Sequence, residues 1–459
     1  MSDQKVAVRA LNDLTEGPIV RQLLQFALPA MASNLLLQFY NAVDSIVIGQ
    51  YAGSTALAAV GVSNPIMMLF NALFMGFSLG ASIIVAQTFG AKNMEKLQRT
   101  INTTFSMAFT VGMFITIIGV VLCRPLLRLL NVPDDIIGNA ALYLTIIFGG
   151  TLGNVFFNYG SGILRGMGDS RWPLVALSIS CFLNIVLDIW FVYGFGWGVA
   201  GVAWATVIGQ TTSGLFLAWR INNFGHGLKI SFQEMLRPDM SIIKDILRYG
   251  LPSGVQQMGR SLGGVIVQSF TNSFGSVFIA ANTVVMRLDG FVIMPMMALG
   301  IAATTFVGQN TGANKPDRAK TGVNRLLVMV MILAAILGVV MYFFGRQASR
   351  AFTSEDPVIA IAVQGIRVVC FSYAFMGIDA TLAGALRGSG IANVSMITTI
   401  ISNVFRIILV YFLAIRTSNY MGVFYSMALS MAIGAILVSA YYFLGKWRNK
   451  TRSVAESNS

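Results

Sequence analysis

The feature that most constrains this sequence is the recurrence of unbroken apolar runs, such as "LVMVMILAAILGVVMYFF" at 327–344. About twenty apolar residues in a helix cross the ~30 Å hydrocarbon core of a bilayer. Twelve such stretches follow one another, at 23–48, 58–86, 101–122, 137–163, 173–193, 198–219, 245–273, 278–306, 324–344, 358–384, 392–415 and 420–444. Hydrocarbon offers no partner to backbone N–H and C=O groups, so only helices and closed β-barrels cross it. Barrel strands alternate with period two. These runs are continuous, so the expected fold class is an all-α integral membrane protein. Only 11% of the 459 residues are charged, against about 25% in a typical soluble chain.

The net charge of +13 could suggest nucleic-acid binding, but its distribution is a topology signal. Twenty-two lysines and arginines fall in the segments on one side of the spans. Arg124, Arg128, Arg346, Arg350 and Arg416 make up the other side. The positive-inside rule then places both termini in the cytoplasm; the expected location is a prokaryotic-type cytoplasmic (inner) membrane. The first twenty residues are polar and do not read as a cleavable signal. Cys123, Cys181 and Cys370 have neither metal nor disulfide spacing. There is no phosphate-binding loop, and "GWGVAG" at 196–201 matches a dinucleotide pattern only in a turn between two apolar runs, after no strand. The lone histidine, His226, has no partner for catalysis or metal binding. The chain is therefore not read as an enzyme, and no cofactor is implied.

The chain repeats itself with a period near 222. "FALPA" at 26–30 recurs as "YGLPS" at 249–253, "VAQTFGAKN" at 85–93 as "VGQNTGANK" at 307–315, and "GILRGMG" at 162–168 as "GALRGSG" at 384–390. Each half holds six spans, so both face the same way. The expected organisation is a cytoplasmic segment 1–21, a lobe 22–220, a polar linker 221–243, a second lobe 244–445 and a tail 446–459. Parallel repeats of this kind occur in secondary transporters, which bind substrate between the halves. Without a nucleotide site, the energy source left is an ion gradient.

An ion gradient must act on groups inside the membrane, where each charge costs about 3 kcal/mol on insertion scales. The intramembrane acids are Asp44, Asp188, Asp289 and Asp379, and the bases are Arg260, Arg287, Arg367 and Arg406. Asp44 maps through the repeat to Ile266 or Val267, and Asp188 to Leu409 or Val410, so neither has a counterpart. The first half thus carries acids with no intramembrane base, which suits reversible occupation by H⁺ or Na⁺. Acids beside arginines suit fixed pairs. Asn41 shares a helix face with Asp44, and Asn184 with Asp188. Thr206 and Gln210 share one on the sixth span. Depth along the spans allows Asp44, Asp188 and Thr206 one common site, with oxygen ligands fit for a hard cation. The alternative is helix-packing glue, hydrogen-bonded and inert, and for Asp289 and Asp379 it stays fully open.

At these residues the sequence resembles the multidrug and toxic compound extrusion (MATE) family. The resemblance is carried by "NAVDSIVIGQYAGSTALAAVG", "VAQTFGAKN", "LRGMGDSRWP", "NIVLDIWFVYGFGWGVAGVAWATVIGQ" and "VGQNTGANKPDRA", and it covers nearly the whole chain. It implies twelve transmembrane helices in two six-helix lobes related by a parallel internal repeat. It also implies export of hydrophobic, often cationic compounds in exchange for H⁺ or Na⁺. In the DinF-like branch the coupling site is an acid of helix 1, an Asn/Asp pair of helix 5 and a nearby threonine of helix 6. These fall here on Asp44, Asn184, Asp188 and Thr206, where Na⁺ could also bind. The NorM-like branch carries a glutamate eight residues after the helix-7 proline, where this chain has Arg260, so the DinF-like reading is favoured.

On the substrate side, flexible methionines suit promiscuous pockets. Met67 and Met75 on span 2 and Met286 and Met294 on span 8 are cavity candidates, with Gln210 and Asp289. Pro29 and Pro252 sit at equivalent places inside spans 1 and 7 and are candidate hinges. The implied partners are small amphipathic organic molecules and membrane lipid, with no nucleic acid, and the chain is expected to act as a monomer. A second reading is a flippase for lipid-linked saccharides, with Arg260, Arg287 and Arg406 gripping phosphate. A third is a membrane scaffold that transports nothing.

Overall fold

The computed structural model describes residues 13–224, 227–445 and Trp447, apart from the side chains of Asn41, Ser45, Ala52 and Ser54. His226 and the basic residues Lys5, Arg9, Lys446, Arg448, Lys450 and Arg452 lie outside the described residues. All regular structure among the described residues is helical. In chain order the α-helices are α1 (Ile19–Val47), α2 (Ser54–Gly90), α3 (Met94–Leu129), α4 (Asp134–Gly149), α5 (Thr151–Gly166), α6 (Arg171–Asp188), α7 (Gly198–Asn222), the short α8 (Phe232–Met235), α9 (Met240–Thr271), α10 (Ser276–Gly312), α11 (Pro316–Arg350), α12 (Asp356–Val369), α13 (Tyr373–Gly388), α14 (Ala392–Val410) and α15 (Met421–Phe443).

These helices coincide with the twelve expected spans, with two corrections. Spans 4 and 10 are each broken. α4 and α5 meet at a 50° bend, and α12 and α13 join through a 3₁₀ turn at Cys370–Ser372. The first break has a clear cause. It falls at Gly149 and Gly150, and paired glycines are a weak point in a helix. At Gly150 a Cβ would also overlap the side chain of Val207 on α7. Among the described residues eight helical stretches are long and apolar enough to span a membrane, with α12 and α13 together counting as one of them, and nine with the bent pair α4–α5 as one. α1, α7 and α9 are not among them.

The described chain falls into two compact units. One is Ala32–Leu251; the other is Leu14–Met31 together with the chain from Pro252 onward. Both boundaries cut a helix beside a proline: α1 between Met31 and Ala32, just past Pro29, and α9 between Leu251 and Pro252. The start of α9 packs in the first unit, where a Cβ at Gly80 of α2 would press within 2.8 Å of the Gly250 nitrogen. Leu14, Leu23, Phe26 and Ala27 are buried in the core of the second.

Each unit is built on the same contacts. In the first, α5 packs on α2 and α7, and α7 on α6. In the second, α13 packs on α10 and α15, and α15 on α14. Glycines set the closest approaches. A Cβ at Gly162 or Gly166 of α5 would lie 2.7 Å from the carbonyl oxygen of Ser78 or Ser82 on α2. Gly384 and Gly388 of α13, 222 residues on, would likewise overlap the carbonyls of Gly300 and Thr304 on α10. Left-handed turn residues repeat at the same offset: Gly53 and Gly275, Lys92 and Asn314, Gly168 and Gly390, Gly196 and Ser418. Outward-facing side chains such as Phe182 and Phe343, about 70% exposed, are the apolar surface expected against lipid.

Candidate functional site

In the first unit four helices converge on one polar cluster. α1 brings Tyr40 and Asp44, α6 brings Asn184 and Asp188, α7 brings Thr206, and α4 brings Tyr143. Asp188 is fully buried, Asn184 and Thr206 are buried, and Asp44 is half-buried. The carboxyls of Asp44 and Asp188 lie in hydrogen-bonding contact with each other. The Asn184 amide bridges two helices: in the orientation that satisfies both of its ends, Nδ2 donates to Asp188 Oδ2 at 3.1 Å and the oxygen accepts from the Thr206 backbone N–H at 3.2 Å. The Tyr40 hydroxyl points at Thr206 Oγ1 from 3.5 Å. Tyr143 lies within electrostatic range of both acids.

Two features make this cluster chemically unusual. Among the described residues no basic side chain acts on either carboxyl, and Oδ1 of each is buried without a hydrogen-bond partner. Two carboxylates in contact cannot both be ionised in a dry site, so they must hold a cation or share a proton. The donor set for that cation is all oxygen. Among the described residues no group of three or more His, Cys, Asp or Glu gathers, so the set suits a proton or a hard monovalent ion rather than a transition metal.

The helix ends beside the acids are irregular in the same way. α1 runs into a π-helical turn at Ile48–Ala52, one turn beyond Asp44. α6 runs into one at Ile189–Gly194, directly after Asp188. The two turns pack on each other, with the rings of Tyr51 and Tyr193 edge to face at 5.6 Å. π-turns widen the backbone and cluster at functional positions. α14 ends in a matching turn at Tyr411–Ile415, but the acid before it is replaced by Val410, which is fully buried.

The second unit pairs its acids instead. Arg260 Nη2 lies 3.4 Å from Asp379 Oδ2. Asp289 accepts a hydrogen bond from the Tyr373 hydroxyl and faces Arg406. Arg260, Asp289, Asp379 and Arg406 line a cavity of about 330 Å³, with Met286, Met297, Met376, Met427 and Met431 among the other walls.

The structure therefore brings Asp44, Asn184, Asp188 and Thr206 together. The Asn41 side chain lies outside the described residues. Gln210, one turn along α7 from Thr206, is half-buried and its backbone carbonyl accepts from the Ser213 hydroxyl. Met286 and Asp289 line the second-unit cavity, whereas Met294 does not. Met67 packs half-buried on the first unit's core, and Met75 is exposed on α2. Arg287 is exposed, and Arg367 lies over the Tyr342 ring at 5.3 Å. Tyr40 and Tyr143 were missed from sequence. Tyr40 had a signal, standing four residues before Asp44; Tyr143 had none.

Comparison with known proteins agrees with this architecture. The family model described as MatE matches residues 29–190 and 252–412. The probable multidrug resistance protein YoeA of Bacillus subtilis (strain 168) is 30% identical over 448 residues, covering 95% of this chain and 96% of that protein. The probable multidrug resistance protein YpnP of the same organism is 28% identical over 438 residues, with 95% and 97% covered. A crystal structure of MATE in complex with MaL6 superposes with a TM-score of 0.89 at 24% identity, covering 97% of this chain and 99% of that one, a likeness of fold.

Proposed function

Since the chain belongs to the MATE family of membrane transporters, we propose that it is a secondary antiporter, exporting hydrophobic and often cationic organic compounds in exchange for H⁺ or Na⁺. The observation that carries this reading is the Asp44–Asp188 carboxyl pair, Asp188 fully buried and Asp44 half-buried, in mutual contact and free of any basic partner among the described residues. The multidrug names of its relatives support the substrate class. The gathering of Asp44, Asn184, Asp188 and Thr206 is what the DinF-like resemblance implies. The charge distribution supports both termini in the cytoplasm of a cell whose inner membrane holds the chain.

The proposed cycle follows from the pair. Emptied of its ion, the site holds two facing acids whose repulsion strains the contact between the π-turns that follow them, and this state favours substrate. H⁺ or Na⁺ entering from outside relieves the repulsion. The π-turns after Asp44 and Asp188 then repack, and substrate is released outward. A ligand moves such an equilibrium only by binding one state more tightly, and the carboxyl pair supplies that difference.

Proteoliposomes with an imposed H⁺ or Na⁺ gradient test the reading. Asp44→Asn and Asp188→Asn should each abolish gradient-driven efflux of a fluorescent organic cation while the protein stays folded. Wild-type rates in either variant would sink the assignment.

A further inference from the structure

We infer that the cavity inside the second unit binds an anionic group, a carboxylate, sulfonate or phosphate carried by an amphipathic molecule. As a substrate site it rests on the transport reading; as a binding site it is tested without it.

The cavity's charge is the first argument. Arg260 and Arg406 line it opposite Asp289 and Asp379. A third guanidinium, Arg387, stands beside Arg260 and Asp379 and gives its Nη1 to Gln256 Oε1 at 3.2 Å. Two guanidiniums and two carboxylates line the cavity, and Arg387, outside the lining, adds a third positive charge close by. Arginine does not shed it by losing a proton. Asp379 is thus shared between two cations, Arg260 and Arg387.

Hydrogen-bonding capacity points the same way. Two buried donors that line the cavity have no partner, Nε of Arg406 and Nδ2 of Asn403, and Nε of the nearby Arg387 has none either. Asp289 Oδ1 is the single such acceptor. Arg406, Asn403 and Asp289 all line the cavity. Unpaired donors in a dry site are costly, and an oxyanion satisfies several at once.

Shape completes the argument. About 330 Å³ is at the low end of small-molecule sites, roughly 300–1,000 Å³. Five methionines form its apolar wall, a lining that adapts to differently shaped hydrophobic bodies. The two repeats have thus placed opposite demands on one fold: an acid pair wanting a cation in the first unit, a donor surplus wanting an anion in the second.

Isothermal titration calorimetry tests this on the full chain in phosphatidylcholine nanodiscs, with three matched probes: naphthoxyacetate, naphthoxyethanol and naphthoxyethyl-trimethylammonium. The acid should bind at least about tenfold more tightly than either other probe, which corresponds to ~1.4 kcal/mol. Arg406→Gln and, independently, Asn403→Ala should erase that preference, and Met431→Trp, which fills the cavity, should remove binding of the acid. Equal or tighter binding of the alcohol or the ammonium would overturn the inference, as would a preference that survives in a folded Arg406→Gln or Asn403→Ala. Adding phosphatidylglycerol to the nanodiscs separates the sources. Competition with the acid identifies a lipid headgroup, and its absence a free organic acid; both sustain the anion site. If wild-type protein binds the acid but drives no gradient-linked export, the transport reading fails and the anion site stands.

Discussion

Thr206 offers the finest dissection of the acid pair. Its backbone N–H holds the Asn184 oxygen and its hydroxyl lies within reach of Tyr40. Thr206→Val keeps shape and backbone but removes one oxygen from the cation's surroundings. If Na⁺ is the coupling ion, its apparent affinity in transport should fall about tenfold with little change in thermal stability, a loss of ~1.4 kcal/mol. A proton needs no such coordination shell, so H⁺-driven transport should change far less. Tyr40→Phe should behave in the same direction but more weakly, since its contact is long. At this scale the sequence was legible where a residue violated its surroundings. Asp44 and Asp188 stand out because a carboxylate in an apolar helix has no ordinary reason to be there. Tyr143 was invisible, because a tyrosine in a membrane helix is unremarkable until the fold sets it near two acids. Asn403 and Arg406 were separable from structural pairing only once their unpartnered atoms could be seen.

Helix-to-helix spacing is fixed by small residues in this fold. Gly162 and Gly166 press α5 on α2, and Gly384 and Gly388 press α13 on α10. Gly384→Leu forces these backbones apart and should destabilise the protein by several kcal/mol, at or above the usual 1–3 kcal/mol of overpacking, read as a loss of thermal stability in detergent. Gly259, which has only Ile400 near its Cβ position at 3.9 Å, should tolerate alanine. Pro29 makes a different prediction. It lies at the point where α1 passes from one unit to the other, so Pro29→Ala should stiffen that passage. Transport should drop severalfold while the melting temperature holds or rises, and an unchanged rate would remove the hinge role. The spans themselves were readable from apolar length. The breaks at Gly150 and Cys370–Ser372 were not, because hydropathy stays high across them and only the packing of α7 shows why the first helix must bend.

On the scale of the whole chain, the 222-residue period predicted two equivalent halves, and the recurrence of left-handed turns and glycine contacts at that offset shows how literally the backbone obeys it. What the period hides is where the halves divide, because sequence similarity follows the order of the chain and packing does not. The first turns of α1 belong to the second unit, and the first turns of α9 to the first. Each half of the gene product therefore lends the other an arm that its own core does not contain. Severing the chain after Asn223 should leave neither fragment able to mature alone, since each would lack a piece held by its sibling. Produced together, the two fragments should find one another and restore export, an outcome that co-purification from a single tagged fragment would reveal. A transporter assembled in this way is a reciprocal loan between duplicated copies, and once each depended on the other's arm, neither copy could drift back to independence.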